Sequence, residues 1–575
     1  MQADLVIRGG TVVDGSGAAA FQADVVVQGD RIAAVGRHRG GARELIDARG
    51  KLVTPGFVDI HTHLDAQITW DPLGAPSNQH GVTSAIVGNC GVGFAPCRPA
   101  DRDYLMFLME GVEDVPRAAM KAGLRWDWET FPEYLQALER RPLGINVGAH
   151  ISHAPLRIYA MGERGARDAA ASDAELEAMR RCILEGLRAG ALGVATGRTT
   201  LHRTPAGDPV PGTFADRREL EALAGALSEF GTGVLEMVPL GAAGEDPEGF
   251  AKDYAWMLPV ALASGRPISV GLTQELAHPE VWRDSLGRAE AAAARGARIL
   301  PQVAARSIGI LLGFGVSLSP LVLFPAGAEL LARPPSEQRL ALRSPELRGK
   351  LLESARRSSG GVFGGMATVD HVFPLRGDGV LAYETPPEKS LRGRAEREGR
   401  HWGEIALDHL LASDLEGFFL LPLFNFDLEA AAAMLEHPLT TIGLGDSGAH
   451  AGQTCDSGFP TFVLAYWVRE RRRLSLERAV RKLSFEPAHL WGLHDRGLLR
   501  RGAKADLNVI DLGRLDLEAP EVRHDYPGGA AHLSQSARGY EATIVNGEVL
   551  MREGRPTGAR PGRVLRNELW EDAGA

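Results

Sequence analysis

The stretch between residues 143 and 272 alternates short apolar segments with segments of helical spacing, and this repeat constrains the fold more than any other feature. The apolar segments resemble buried strands and lie at 143–148, 191–195, 233–238 and 267–272. Helical periodicity occurs at 173–189, after Ser172, and at 216–230. Strand-then-helix units predict parallel strands joined by helical crossovers. Their number favours an α/β fold of the (β/α)8 TIM-like barrel type. A doubly wound open sheet is the alternative, but no glycine-rich phosphate-cradling turn follows the first strands.

Both ends of the chain read differently, as short strands separated by turns. The β-prone segments are 4–8, 11–14, 23–27, 31–35, 505–511 and 542–549, with Gly9 and Gly10 expected to break the first pair. We therefore predict a discontinuous β-sandwich domain built from residues 1–54 and 490–575. The barrel is expected to occupy residues 55–489.

Residues 330–415 depart from the strand-and-helix repeat. They are rich in arginine and glutamate and contain paired prolines at 334–335 and 386–387. This composition predicts a helical insertion in the barrel. A lid and an oligomer contact are the two roles considered for it, because long loops at the strand ends of a barrel often serve such purposes.

Charge and cysteine content restrict the partners of the chain. Its 575 residues carry a net charge of −10, which argues against nucleic-acid binding because a phosphate backbone requires a basic surface. Four cysteines in so long a chain are no disulfide framework, and they favour a reduced, cytoplasmic setting. The start of the chain does not read as a signal peptide, and no apolar run is long enough to predict a membrane span. The expected partner is a small-molecule substrate, and a homo-oligomer is left open.

His61 and His63 follow a β-prone apolar run, 57–60, and are the first candidate site residues. Histidines at i and i+2 on a strand point to the same face. At the carboxyl end of a barrel strand that face is the catalytic mouth, where neutral imidazoles are natural zinc ligands. By itself the pair is equally consistent with a structural role.

Cys90 and Asp446 follow two other strand-like segments. Cys90 ends the run 86–90, and its thiolate would be a strong zinc ligand, although a buried core cysteine is the commoner case. Asp446 ends the run 442–446 in a glycine-rich turn. Its carboxylate could bind a metal and carry a proton between water and a leaving amine, whereas turn or capping aspartates are the alternative.

Together these segments resemble the amidohydrolase superfamily, specifically its D-aminoacylase (N-acyl-D-amino-acid deacylase) branch. The motifs that carry the resemblance are LVIRGGTVVDG at 5–15, PGFVDIHTH at 55–63, GNCG at 88–91, DRGL at 495–498, GAKADL at 502–507, HDYPGG at 524–529 and VNGE at 545–548. The resemblance spans nearly the whole chain and is weakest from about residue 300 to about residue 420. It implies zinc held by a cysteine, here Cys90, and a base on the last barrel strand, here Asp446.

The sequence departs from that family at two metal ligands. The family places histidines on the fifth and sixth barrel strands, but segments 234–239 and 267–274 contain none. Glu236 is the one ligand-type residue of the fifth-strand segment. Zinc takes about four ligands. We therefore expect one zinc ion held by His61, His63, Cys90 and Asp446, with Glu236 as a fifth ligand.

Other polar residues near predicted strand ends are candidates for substrate binding. Arg198 suits a substrate carboxylate because its guanidinium matches that geometry, and a surface ion pair is the alternative. His150 and His153 are expected just past a strand, at the mouth of the barrel. His450 follows Asp446 closely and is expected to support it from outside the ligand set.

These observations predict a metal-dependent hydrolase of a non-peptide C–N bond, with an N-acyl-D-amino acid as the substrate that the resemblance implies. The lysine, tyrosine and arginine that the family uses around its substrate are absent from the matching segments, so a cyclic amide remains a second substrate class. A degenerate barrel retained for binding or assembly is the non-catalytic alternative.

Overall fold

A computed structural model describes residues 2–167, 169–242, 244–362, 367–375 and 377–571. Its strands, in chain order, are β1 Ala3–Val12, β2 Phe21–Gln28, β3 Arg31–Gly36, β4 Ala42–Asp47, β5 Leu52–Pro55, β6 Phe57–Asp59, β7 Val82–Val87, β8 Asn146–Ser152, β9 Gly193–Gly197, β10 Val234–Val238, β11 Ile268–Leu272, β12 Ile299–Val303, β13 Ile308–Leu312, β14 Gly361–Val362, β15 Ala367–Thr368, β16 Phe373–Leu375, β17 Phe418–Phe424, β18 Thr441–Ile442, β19 Leu507–Ile510, β20 Asp516–Leu517, β21 Glu521–Tyr526, β22 Ala530–Ser534, β23 Ala537–Arg538, β24 Tyr540–Val545, β25 Glu548–Arg552 and β26 Arg555–Pro556.

The α-helices, in chain order, are α1 Arg102–Glu113, α2 Arg117–Gly123, α3 Phe131–Glu139, α4 His153–Met161, α5 Glu163–Ala166, α6 Asp173–Arg188, α7 Arg217–Phe230, α8 Gly249–Ser264, α9 Val281–Ala294, α10 Pro335–Leu342, α11 Pro345–Arg356, α12 Leu391–Glu398, α13 Trp402–Ala412, α14 Leu428–Glu436, α15 Phe459–Phe462, α16 Leu476–Leu483 and α17 Phe485–Leu490. A π-helical segment, Val463–Glu470, continues α15. Helix α6 begins at Asp173, as predicted, with Ser172 as its N-cap, because Ser172 and Glu175 form a reciprocal capping box.

A parallel sheet forms the centre of the molecule. Within the described ranges its eight strands follow the order β18-β12-β11-β10-β9-β8-β7-β6. A parallel bridge between Thr62 and Ser447, just beyond β6 and β18, brings the first and last strands together. The parallel order and this closing contact are those of the predicted (β/α)8 barrel.

The third barrel strand lies later in the chain than predicted. The sequence predicts residues 143–148, whereas β8 covers Asn146–Ser152. Val147, Ala149 and Ile151 pack into the outer core with the surrounding helices. The residues that alternate with them past position 148 are His150 and Ser152, and these buried polar positions concealed the continuation of the strand.

Strands from the two chain ends meet in a second sheet. Among the residues described, nine strands belong to it, in the order β26-β25-β24-β19-β5-β1-β2-β3 with β4 beside β1. The expected break at Gly9 and Gly10 is wrong: β1 runs through both residues with a register irregularity between Ile7 and Gly10, where Gly9 has φ +69° and donates to Asp24 Oδ1. Whether this sheet forms a separate sandwich domain stays a prediction.

The inserted region combines helices with a small antiparallel sheet. Helices α10 to α13 lie within the predicted interval, and β13, β17 and β16 form a sheet at its base. Along β17 the side chains alternate between two cores. Phe418 and Leu420 pack with the barrel helices, whereas Phe419 and Leu421 pack with Trp402 and its neighbours in the insertion. In the described part of the chain, no helix has both the length and the apolar character needed to cross a bilayer.

Candidate active site

His61 and His63 lie just after β6, at the point where the barrel closes. The strand ends at Asp59, so the pair follows it rather than lying on it as predicted. His63 N donates to Ser447 O at 2.7 Å, and Asp446 N donates to His61 O at 3.1 Å. These backbone bonds hold the histidines against the segment after the last barrel strand, and the ring centroids are 5.6 Å apart.

Cys90 completes a compact group with the two histidines. One ligand atom from each of His61, His63 and Cys90 lies within 4.8 Å of the others, and all three residues are buried. Cys90 has φ +55° in a turn that opens at Gly88, and its Sγ lies 3.2 Å from His61 Nε2. Burial, followed by the neighbouring carboxylates of Glu236 and Glu113, raises the pKa of this thiol well above its ordinary value.

Asp446 approaches this group from the segment after β18. Its Oδ1 lies 3.4 Å from His61 Nε2, and its side chain is 15% exposed. Its backbone is left-handed, with φ +46°. The carboxylate therefore adjoins the group of His61, His63 and Cys90 while keeping contact with solvent.

Glu236 reaches the site from the fifth barrel strand. Its Oε1 lies 3.5 Å from His61 Nδ1, and its Oε2 accepts from Cys90 N at 3.1 Å. Burial raises the pKa of Glu236 to about 7. The structure thus places a carboxylate at the strand position that lacks the family histidine.

Gln302, on β12, is a site residue that sequence reasoning missed. Its Nε2 donates to Ser269 Oγ at 2.8 Å, so its Oε1 accepts from His61 Nδ1 at 3.1 Å. His61 then carries its proton on Nδ1 and presents the Nε2 lone pair towards Cys90. The position of Gln302 near the end of a strand-like segment, 300–303, was the available signal.

Glu113 is the second residue that sequence reasoning missed. It is the last residue of α1, and its Oε1 lies 3.4 Å from His63 Nδ1. Burial, together with the charges of Asp446 and Asp65, raises its pKa well above the ordinary value. Its position on a helix, 50 residues after His63 and outside any recognised motif, gave no sequence signal.

His450 lies on the far side of Glu113, with its Nε2 3.8 Å from Glu113 Oε2. It thus faces Glu113, in addition to following Asp446 in the chain. His202, in the loop after β9, is also near: burial, followed by the charges of His450 and His61, lowers its pKa to about 3. The sequence analysis singled out Arg198 in this loop but not His202.

The prediction that His150 lies just past a strand is wrong, and its role in substrate binding stays a prediction. His150 lies within β8 and is buried inside the barrel, because the strand extends to Ser152. Trp491 Nε1 donates to its Nε2 at 2.7 Å. Burial lowers the pKa of His150 to about 3, so the imidazole is neutral.

His153 and Arg198 are engaged with other protein groups. His153 contacts Thr196 Oγ1 through Nδ1 and Glu219 Oε1 through Nε2, both at 2.9 Å. Arg198 Nε donates to Asp253 Oδ1 at 2.7 Å, and its Nη1 donates to Ala215 O at 3.0 Å. Their predicted roles in substrate binding stay predictions.

The donor set fits a divalent metal ion. A thiol and two imidazoles converge, and carboxylates lie beside them, which is the ligand chemistry that zinc prefers. Among the residues that the structure describes, His63 Nδ1, Glu236 Oε1 and Glu113 Oε1 are buried without a hydrogen-bond partner. A nearby cation would compensate a buried acceptor such as Glu236 Oε1, whereas His63 Nδ1 and Glu113 Oε1 face each other at 3.4 Å.

Comparisons with known proteins agree with this architecture. A family model described as "Amidohydrolase family" matches residues 44–325 and 417–551. The N-acyl-D-aspartate deacylase of Alcaligenes xylosoxydans xylosoxydans is 30% identical over 581 aligned residues, which cover 98% of this chain and 95% of that protein. The N-acyl-D-glutamate deacylase of the same organism is 29% identical over 574 residues, covering 98% and 97%.

Solved structures show the same fold. The N-acyl-D-glutamate deacylase from Bordetella bronchiseptica, complexed with zinc and a phosphonate mimic of the tetrahedral intermediate, has a TM-score of 0.65 and 25% identity, covering 98% of this chain and all of that one. A D-aminoacylase crystal structure has a TM-score of 0.64 at 23% identity, with the same coverage.

A parallel barrel with metal-ligand side chains at the carboxyl ends of its strands defines the class of metal-dependent barrel hydrolases. The chain belongs to the amidohydrolase family, and the family predicted from its sequence is confirmed. It is a hydrolase acting on non-peptide C–N bonds, of the deacylase type.

Proposed function

We propose that this enzyme removes the acyl group from an N-acyl-D-amino acid, using one zinc ion bound by His61, His63, Cys90 and Asp446 with Glu236 as a fifth ligand. The observation that carries the proposal is the convergence of His61, His63 and Cys90 with Asp446 beside them. The full-length relatives, by their names, act on N-acyl-D-aspartate and N-acyl-D-glutamate. Glu236 takes the place of the fifth-strand histidine in this ligand set.

Zinc in this site would polarise the amide carbonyl and lower the pKa of water. Asp446 accepts a proton from the attacking water and returns it to the leaving nitrogen, a role favoured by its contact with solvent. Gln302 fixes the tautomer of His61, so that Nε2 faces the ligand group. Buried Glu236 holds the turn of Cys90 in place through the Cys90 backbone N–H.

Arg198 is the proposed contact for the substrate carboxylate. It follows β9 directly and two of its guanidinium nitrogens are already held, by Asp253 and by Ala215 O. Those bonds would fix the guanidinium in one orientation, which favours recognition of a planar carboxylate. His153 is less suited to this role because Thr196 and Glu219 contact both of its ring nitrogens. His150 is less suited because it is buried within β8 and its Nε2 accepts from Trp491.

The same proposal includes the domain organisation. Residues 1–54 and 490–575 would form the β-sandwich domain, supported by a core that packs Leu5, Val53 and Leu507 together. Residues 55–489 would form the catalytic barrel, with 330–415 as a lid or oligomer contact. The cytoplasmic location also stays a prediction.

The test is turnover by the zinc-loaded full chain against N-acetyl-D-amino acids, their L-enantiomers and cyclic amides. We expect hydrolysis of D-substrates, and we expect Asp446→Asn to lower kcat about 10²- to 10⁴-fold, the usual contribution of a general acid–base group. Asp495→Asn, at a residue that pairs with Arg496 away from the site, is the control and should keep full activity.

Three results would contradict the proposal. Preference for cyclic amides would show that these, and not N-acyl-D-amino acids, are the substrate class. The absence of any C–N hydrolysis would favour a binding role. If the protein purified with added zinc contained only trace metal, the proposed zinc site would be wrong.

A further inference from the structure

Glu113 is a buried carboxylate in an electrostatically unfavourable position. It ends α1, and the residue is 1% exposed. The carboxyl end of a helix carries partial negative charge, so an anion there is disfavoured. A desolvated carboxylate also needs compensating donors. A charged carboxylate at this position therefore needs a local partner.

The described ion-pair partners of Glu113 are two imidazoles from different segments. His63 Nδ1 lies 3.4 Å from Oε1, and His450 Nε2 lies 3.8 Å from Oε2. His63 is one of the three residues whose ligand atoms converge, and the contacts of Asp446 and Glu236 are with His61, whereas Glu113 contacts His63 through Nδ1. Glu113 thus stands behind His63 with respect to that group.

The end of α1 is anchored on both sides, which fixes the position of the carboxylate. Asp114 accepts from Gly452 N at 3.1 Å and from Ser317 Oγ. On the preceding turn, Gly111 packs so closely against Arg203 O that an added Cβ would lie 2.5 Å from it. Small displacements of Glu113 relative to His63 are therefore resisted by backbone contacts.

We propose that Glu113 is a positioning residue that accepts the Nδ1 proton of His63, so that His63 presents Nε2 to the metal ion. Histidines that bind metals usually donate their other ring N–H to a carboxylate or carbonyl, and loss of that partner weakens metal affinity 10- to 100-fold. His61 already has such an acceptor in Gln302, and Glu113 supplies the equivalent for His63. This inference rests on the proposed metal site.

The test is Co²⁺ binding to the metal-free full chain, measured by competition with a chelator and by the visible and thiolate charge-transfer bands. We expect Glu113→Gln to bind Co²⁺ about 10- to 100-fold more weakly, at unchanged saturating stoichiometry and with the thiolate band of Cys90 retained. Glu110→Gln is the matched control, one turn earlier on α1, and should bind Co²⁺ as the wild type does.

A spectroscopic signature separates positioning from a purely structural role. In the ¹H NMR spectrum of the Co²⁺-loaded wild type, the His63 N–H should give a shifted signal that exchanges slowly with water. That signal should exchange rapidly in Glu113→Gln. Glu113→Asp, which keeps the charge but shortens the side chain, should show the same two defects and serves if Glu113→Gln does not fold.

The outcomes distinguish this inference from the proposed function. Wild-type affinity in both Glu113 variants overturns the inference alone, and so does a fall in the number of ions bound, which would make Glu113 a direct ligand. If the wild type binds no Co²⁺ or Zn²⁺, the metal site and the role of Glu113 fall together.

Discussion

Glu219 is a buried carboxylate on α7 that two residues of α4 contact. His153 Nε2 lies 2.9 Å and Arg157 Nε 2.7 Å from its Oε1. Burial tends to raise the pKa of Glu219, but the interactions with His153 and Arg157 outweigh it and lower the pKa to about 2. The ion pairs thus connect two crossover helices beside the barrel mouth.

This pKa predicts how stability depends on pH. Because the folded pKa is depressed, the stabilisation is present above the ordinary pKa of 4.5 and is lost as the pH falls towards about 2. A shift of this size corresponds to about 3 kcal/mol at pH 7. Glu219→Gln should therefore lower the free energy of unfolding by about 3 kcal/mol or more at pH 7, since Arg157 also loses this carboxylate, with which it forms an ion pair.

Denaturant unfolding of the metal-free protein between pH 5 and pH 3 checks this prediction. The difference between wild type and Glu219→Gln should shrink by more than roughly half across that interval. Glu221→Gln, at an exposed residue of the same helix paired with Arg217, should change the free energy by less than about 1 kcal/mol at either pH. A difference independent of pH would show that the pairing of Glu219 is not the cause.

At the scale of elements, the turn between β7 and α1 places the thiol of Cys90. Gly88 opens this turn with φ +85°, and an added Cβ would lie 2.6 Å from His150 O on the next strand. A side chain at Gly88 would therefore suffer both left-handed backbone strain and a clash with β8.

Gly88→Ala is expected to cost about 2 to 4 kcal/mol of stability, of which about 1 kcal/mol is backbone strain. It should also weaken the thiolate charge-transfer band of bound Co²⁺, because Cys90 is displaced. Gly29→Ala is the control. Gly29 also has a positive φ, +57°, but no atom lies near the added Cβ, so this substitution should lower stability only by the roughly 1 kcal/mol of backbone strain. If thermal unfolding showed the same loss of stability in Gly88→Ala and Gly29→Ala, a clash at Gly88 would be excluded.

At the scale of the whole molecule, Asp506 connects the terminal sheet to the barrel. It is buried and accepts from Arg496 Nη1 and Asn546 N, both at 2.7 Å, and from Asn146 Nδ2 at 3.2 Å. Asn146 begins barrel strand β8, whereas Asn546 follows β24 of the terminal sheet. The two parts therefore share one buried polar network, and we expect them to unfold together.

Asp506→Asn should lower the free energy of unfolding by about 3 to 5 kcal/mol, because the buried charge of Arg496 loses its main partner. Far-ultraviolet circular dichroism and tryptophan fluorescence should still report one coincident transition. Asp495→Asn removes the more exposed partner of Arg496 and should cost less than about 1 kcal/mol. Two separate transitions, with only one of them shifted, would contradict the coupling.

The sequence predicted those parts of the site that local pattern encodes. His61, His63 and Cys90 stand directly after apolar strands, and barrel geometry brings the carboxyl ends of such strands to one mouth. The same rule located Asp446. Glu236 was singled out because the family resemblance implies a ligand on the fifth strand, where the histidine is missing. The early end predicted for β8 misplaced His150, because polar inward residues interrupt the apolar pattern.

By itself, then, the sequence determined the barrel, its family and the segments that carry potential metal ligands, since periodicity and short motifs are local properties. Only the tertiary structure decided which partners these ligands meet. Gln302 orients His61 from a strand 241 residues away, and Glu113 faces His63 from the end of a helix. Such contacts depend on how the barrel closes and how its helices pack. Local patterns in a single sequence do not predict contacts between residues so far apart in the chain.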